Sequence, residues 1–205
     1  MDRPEAPQTT LIFFSLGPAR STADYPQLEV MNSALGGLFS SRINMNLREE
    51  HGYTYGAGSV FNYHIAPGPF IVYSDVRTDA TAPATTEVFK ELRRMRDAPM
   101  TAEELKSSKD AVAQSLPGRF EHAAETVGVF SDIYVYDLPL DYFSLLPAQI
   151  YAVTAEQAQA AAQKYIQPDK ITVLAVGDRA KIEADMKKLN LGKTEIRDTD
   201  GKLVQ

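Results

Sequence analysis

With 205 residues, 44% of them hydrophobic, the chain is long enough to close one domain, or two small ones, around an apolar core. Its formal net charge of −6, spread without long single-sign runs, argues against nucleic-acid binding, which needs a basic patch to neutralise phosphates. The absence of cysteine excludes disulfides, thiol nucleophiles and Cys-ligated zinc, and no apolar run approaches the roughly 18 residues of a membrane span.

Residues 1–7 hold no signal-peptide core, and Pro4 and Pro7 flank Glu5 directly before an apolar strand. This suggests the edge of an excised piece with an added Met, so residues 1–8 are expected to form a flexible leader. Residues 9–15 (TTLIFFS) read as a strand buried on both faces, ended by Gly17-Pro18. Asp24 offers a helix cap, and Leu28, Met31 and Leu35 repeat at helical spacing up to Gly36-Gly37. A second helix is expected over 41–50, with Ile43 and Leu47 on one side and Gly52 as a left-handed terminator. Residues 53–63 and 70–76 read as two strands joined through the turn at Pro67-Gly68, a hairpin-like pair.

Helical sequence then dominates. Residues 82–97 carry Val88, Phe89, Leu92 and Met95. Thr101-Ala102-Glu103-Glu104 is a capping box, in which Thr and Glu satisfy each other's free backbone donors. Its helix runs to Leu116, where Pro117-Gly118 breaks or kinks it, and helix resumes over 119–136. Further helices are expected over 142–151 and, behind the capping box at Thr154, to Ile166. Residues 171–176 (ITVLAV) read as a buried strand that returns to the early sheet, 180–189 as a last helix, and 192–205 as a polar tail. Clustered strands with segregated helices imply an α+β fold: a mixed or antiparallel sheet with helices packed on one face, in a single domain over 9–191.

Little of the sequence carries chemistry by itself. His51, His64 and His122 do not stand at i, i+3 or i, i+4, so there is no local helical zinc pair. Glu121-His122 mimics the end of H-x-x-E-H, but Gly118 stands where the first ligand belongs. No nucleophile elbow, P-loop or dinucleotide fingerprint is present. What remains is Arg48, in the last turns of a helix, and Tyr55, just inside the next strand, with Gly52 reversing the chain between them. A guanidinium and a phenol so placed can donate to a peptide carbonyl or to an oxyanion. The bland alternative is an arginine favoured by the helix macrodipole and a tyrosine at home in a strand.

The stretch Leu35-Gly36-Gly37, Ser41-Arg42-Ile43, Leu47-Arg48-Glu49 and Gly52-Tyr53-Thr54-Tyr55 resembles a block of the C-terminal, non-zinc half of insulinase/pitrilysin-type peptidases. That family includes the mitochondrial processing peptidase and bacterial two-half zinc peptidases. The resemblance extends from Pro7-Gln8-Thr9, through Pro18-Ala19-Arg20, to Val173-Leu174-Ala175-Val176-Gly177-Asp178. Arg48 and Tyr55 keep the family's seven-residue spacing; Tyr53 is a second, less well spaced tyrosine.

The resemblance implies a processing-peptidase-like metalloenzyme half that does not cleave peptides alone. A zinc-bearing N-terminal half, in the same polypeptide or in a separate subunit, would supply zinc and general base, and no cofactor is expected in this chain. This half would close over a peptide substrate, with Arg48 and Tyr55 as assisting catalytic and substrate-binding residues and Tyr53 as a further contact. A suggestive register lays the zinc motif over Pro26-Gln27-Leu28-Glu29-Val30, keeping the Glu and losing both ligands. Dimers are compatible with the family, and its bacterial relatives point to the periplasm, with the cytoplasm open. The alternative is a catalytically inert scaffold or peptide-binding subunit of the same fold.

Overall fold

The computed structural model describes residues 1–198 and 200–204; residues 199 and 205 of the expected tail lie outside the described residues. Four strands, β1 (Gln8–Leu16), β2 (Thr54–Phe61), β3 (Pro69–Arg77) and β4 (Thr172–Val176), form one sheet in the order β2-β3-β1-β4. All three pairings are antiparallel, with Phe13 opposite Val72 on β3 and Val173 on β4. The β2–β3 hairpin and the return of β4 to the early strand are as the sequence predicts.

Among the described residues, eight α-helices accompany the sheet: α1 (Tyr25–Asn32), α2 (Arg42–Asn44), α3 (Thr81–Asp97), α4 (Ala102–Ser115), α5 (Ala123–Val135), α6 (Tyr142–Ala152), α7 (Ala155–Tyr165) and α8 (Arg179–Lys188). Both predicted capping boxes form, at Thr101 with Glu104 and at Thr154 with Gln157. One face of the sheet is covered. Leu11 and Phe13 of β1 and Phe70, Val72 and Val76 of β3 are buried there, and Phe13 meets Phe89 of α3 edge-on at 5.8 Å. The helical positions read from periodicity, Leu28, Met31, Leu35, Ile43, Leu47, Val88, Leu92 and Met95, all lie in this core. The architecture is α+β.

Several local expectations need correction. β1 is buried on one face only, because the outward residues Ile12 and Phe14 have no helix above them. β4 is an edge strand and half-buried for the same geometric reason. In the segment expected to form a leader, the unpaired edge of β4 offers backbone partners: Met1 donates to Ala175 (2.9 Å) and Arg3 to Gly177 (2.7 Å). Gln8 already belongs to β1.

Asp24 stands at the N-cap of α1, as expected, but its side chain makes no capping bond. Its carboxylate accepts instead from Lys164 (2.6 Å) and Tyr165 (2.8 Å), tying α1 to α7. The helix expected over 119–136 is interrupted, with Pro117–Phe120 as a 3-10 turn and His122 extended. Pro117 has no N–H to give a continuing helix, and Gly118 is a poor helix former. The two helices expected before β2 end in π-turns, Ser33–Gly37 and Met45–Glu50.

Candidate functional site

The segment from the first π-turn to β2 is held from three sides. Gly36 comes so close to β2 that an added Cβ would meet the backbone nitrogen of Ser59 at 2.4 Å. Only a residue without a side chain fits there. Asn32 locks the same contact, its amide donating to the Ser59 carbonyl (3.0 Å) and its carbonyl accepting from the Ser59 hydroxyl (2.6 Å). Behind it, the buried Arg42 donates through Nε and Nη2 to the two oxygens of Glu104 at 2.7 and 2.8 Å, a bidentate pair with the α4 cap. Arg42, more than any other neighbour, holds the Glu104 carboxyl down at about 2. Asn46 completes the frame by donating to Glu87 (2.9 Å) and Glu91 (3.0 Å) of α3.

Arg48 rides on the second π-turn. Its guanidinium lies over the ring of Phe39 at 4.5 Å, with Glu49 beside it at 3.3 Å, and the side chain is partly exposed. The chain then reverses: Gly52 has φ +62°, and its N–H returns to the Arg48 carbonyl at 3.1 Å. Tyr53 turns toward the core and stacks on His51, ring centroids 4.9 Å apart.

Tyr55 is placed by a device that the sequence does not announce. Opposite β3, Thr54 faces Val76 and Ala57 faces Ser74, so β2 carries one extra residue here, a β-bulge. The backbone groups freed by the bulge are met by side chains. Ala57 N–H donates to Asn44 Oδ1 (3.0 Å) and Gly56 N–H to the Thr54 hydroxyl (3.1 Å), while Ser74 Oγ donates to the Gly56 carbonyl (3.1 Å). Thr54 is anchored in turn on the Asp75 carbonyl at 2.6 Å. The Tyr55 side chain emerges 87% exposed. Asn44, Thr54 and Ser74 are therefore site-building residues that the sequence reading missed. Their signal was a polar side chain at a position flanking an aromatic strand, which has no unique meaning.

The residues of the suggestive zinc-motif register do not suit a metal. Pro26 stands in the first turn of α1, Val30 is fully buried in the core, and Glu29 faces the Tyr63 hydroxyl. Burial raises the Glu29 carboxyl above its usual range, against the lowering effect of the Tyr63 hydroxyl, Arg20 and Arg119. Among the described residues, no three His, Cys, Asp or Glu side chains gather where they could hold a metal ion. His51, His64 and His122 remain apart in this respect. Among the described residues, no helix is long and apolar enough to cross a membrane.

Known structures share this architecture. The peptidase M16 inactive domain from Pseudomonas fluorescens superposes with a TM-score of 0.81 at 30% identity, over 87% of this chain and 42% of that one. A protease from Helicobacter pylori gives 0.78 at 17% identity, over 86% and 42%. The periplasmic protease PqqL from Escherichia coli gives 0.70 at 14% identity, over 87% and 20%. The chain thus spans less than half the length of these proteins. No curated protein sequence matches it. The family model for the peptidase M16 inactive domain matches residues 1–112, more than half of the chain and all of the segment that frames Arg48 and Tyr55, so the chain belongs to the peptidase M16 inactive-domain family.

Proposed function

We infer that the chain acts as the non-metal half of a two-half zinc peptidase, closing over a peptide held by a complementary half. Arg48 and Tyr55 then donate hydrogen bonds to the peptide carbonyl and to the oxyanion that develops on it. The observation that carries this reading is the exposed Tyr55 on a bulge braced by Asn44, Thr54 and Ser74, one chain reversal away from Arg48. Donors held in place before the reaction are effective, because no reorganisation is needed as charge develops. Guanidinium and phenol do not take a proton from water at neutral pH. General-base chemistry, and the zinc that the family implies, would therefore come from the complementary half, since no group that could hold a metal ion gathers among the described residues of this chain.

The test is hydrolysis of a quenched fluorescent peptide by this chain, by its complementary half, and by the two together. Activity is expected only in the combination. In that assembly, Arg48→Ala and Tyr55→Phe are each expected to lower turnover by about 10²–10³, the usual effect of losing one oxyanion donor. Unchanged turnover in both variants, with the assembly intact, would leave the inert scaffold or peptide-binding subunit as the better reading.

A further inference from the structure

A second polar site lies away from Arg48 and Tyr55, and it does not depend on the role assigned to them. Arg20 follows β1 on the approach to α1 and is only 5% exposed. A charge so buried is normally closed by a carboxylate. Among the described residues, no carboxylate forms an ion pair with it. Its planar group instead lies on the ring of Tyr25 at 3.6 Å, with Tyr142 at 5.0 Å and Tyr136 at 5.9 Å, and the Tyr142 hydroxyl is its polar neighbour. Stacking holds the plane of a guanidinium but leaves the N–H donors around its rim to be satisfied.

Glu29 is the acid within electrostatic reach of Arg20; burial pushes its carboxyl up, against the lowering effect of the Tyr63 hydroxyl, Arg20 and Arg119, and it forms no ion pair with Arg20. Asp24, at the start of α1, is already taken by Lys164 and Tyr165.

Arg20 lines a cavity of about 510 Å³ between the start of α1, the turn before α6 and the end of α6. This is the size range of small-molecule sites. Tyr25, Tyr142, Leu138 and Val153 give it aromatic and apolar walls. Gln27 also lines it, and the Gln27 carbonyl oxygen Oε1 is buried without a hydrogen-bond partner. The residues lining one cavity therefore include a buried cation with no ion pair among the described residues and a buried acceptor with no hydrogen-bond partner. Two such groups in one cavity call for a ligand that brings both.

We propose that this cavity binds an α-carboxylate with an adjacent N–H and an apolar side chain, the chemistry of a peptide C-terminus or of a free amino acid. The carboxylate accepts from the rim of Arg20, the N–H donates to Gln27 Oε1, and the side chain lies against the apolar wall.

The probes are N-acetyl-leucine (carboxylate and amide N–H), N-acetyl-leucinamide (no carboxylate), 4-methylpentanoate (carboxylate, no N–H) and leucine, titrated into the full chain and followed by NMR. N-acetyl-leucine or leucine is expected to saturate with shifts confined to residues around the cavity. The tighter of the two identifies the source as a peptide end or a free amino acid. The amide and 4-methylpentanoate are expected to bind about tenfold more weakly or worse, each having lost one charge-assisted or buried hydrogen bond. Arg20→Gln should abolish the response. Because that variant removes the centre of a tyrosine cluster, Gln27→Leu provides a milder check, weakening N-acetyl-leucine while leaving 4-methylpentanoate unaffected. Absence of saturable binding by the folded wild-type chain would overturn the site. Equal binding of acid and amide would overturn carboxylate recognition, and equal binding of N-acetyl-leucine and 4-methylpentanoate would overturn the role of Gln27.

Discussion

Replacing Glu104 by Gln tests whether the Arg42 pair anchors the segment that carries Arg48. The Arg42 side chain is 6% exposed and that of Glu104 25% exposed, so both ends of the pair are shielded from water. The Glu104 carboxyl falls from 4.5 to about 2, with the Arg42 hydrogen bonds as the largest cause and burial opposing them. At about 1.4 kcal/mol per tenfold change in proton affinity, this corresponds to about 3 kcal/mol of folding stability. The direct route gives a similar figure, since removing one partner of a buried pair typically costs about 3–5 kcal/mol by leaving the other charge uncompensated. Arg42 would feel that loss strongly, because its Nη1 is already buried without a partner.

The pH dependence has a definite sign. A carboxyl depressed in the folded state contributes stability that is fully present above 4.5 and is lost as pH falls through about 2. Glu104→Gln should therefore lower the melting temperature at pH 7 by about 6–12 °C, while the gap to wild type narrows steadily between pH 4.5 and 2. Urea and thermal unfolding followed by circular dichroism would measure both. A loss below about 1 kcal/mol at pH 7, as for an exposed pair, or a gap that stays constant down to pH 2, would refute the anchoring argument.

Two glycines should respond in opposite directions. Gly36→Ala forces a methyl group into the Ser59 backbone and is expected to cost at least about 1–3 kcal/mol and to displace β2, read as a drop in urea midpoint. Gly128, inside α5, has open space where a Cβ would stand, so Gly128→Ala should raise stability by about 1 kcal/mol in the same assay. Asn44→Ala strips the partner from the Ala57 N–H in the bulge and should cost about 1–3 kcal/mol. In the reconstituted peptidase it should also lower turnover toward the level of Tyr55→Phe, whereas Tyr55→Phe itself leaves the melting temperature unchanged, its ring being in solvent.

The parts of the fold that were legible are those set by local rules. Apolar spacing placed Leu28, Met31 and Leu35, and later Val88, Leu92 and Met95, on buried helix faces, because one periodicity decides one face. Thr101 and Thr154 announced their helices through a three-residue reciprocal hydrogen bond. What failed needed partners distant in sequence. Ile12 and Phe14 are as apolar as Leu11 and Phe13, and nothing local says that helices cover only one side of β1. Asp24 had the chemistry of a cap, but Lys164 and Tyr165 compete for it from across the fold. At the candidate site, the resemblance singled out Arg48 and Tyr55, while their spacing around Gly52 left a purely structural role open. The bulge could not be read, because it depends on Asn44 reaching a strand thirteen residues on and on Ser74 from the next one.

That bulge is the strongest reason to look outside the chain for its purpose. A regular β2 would pair with β3 without interruption, so the extra residue costs ladder hydrogen bonds at this point. Thr54, Ser74 and Asn44 restore a partner to the displaced backbone groups, which removes the penalty of leaving them bare. Nothing in the fold is gained in return, since Tyr55 buries almost none of its ring. Three polar side chains thus hold in place a residue that contributes little to the core, one chain reversal away from a partly exposed guanidinium stacked on Phe39. An arrangement that is neutral for folding but stiff in geometry is what transition-state contacts require, where misplacement by about 1 Å can cost about a hundredfold in rate. The same stiffness distinguishes the peptidase reading from the scaffold reading: a scaffold surface would tolerate Asn44→Ala once the loss of stability is offset by lower temperature, whereas an oxyanion donor would not recover its rate.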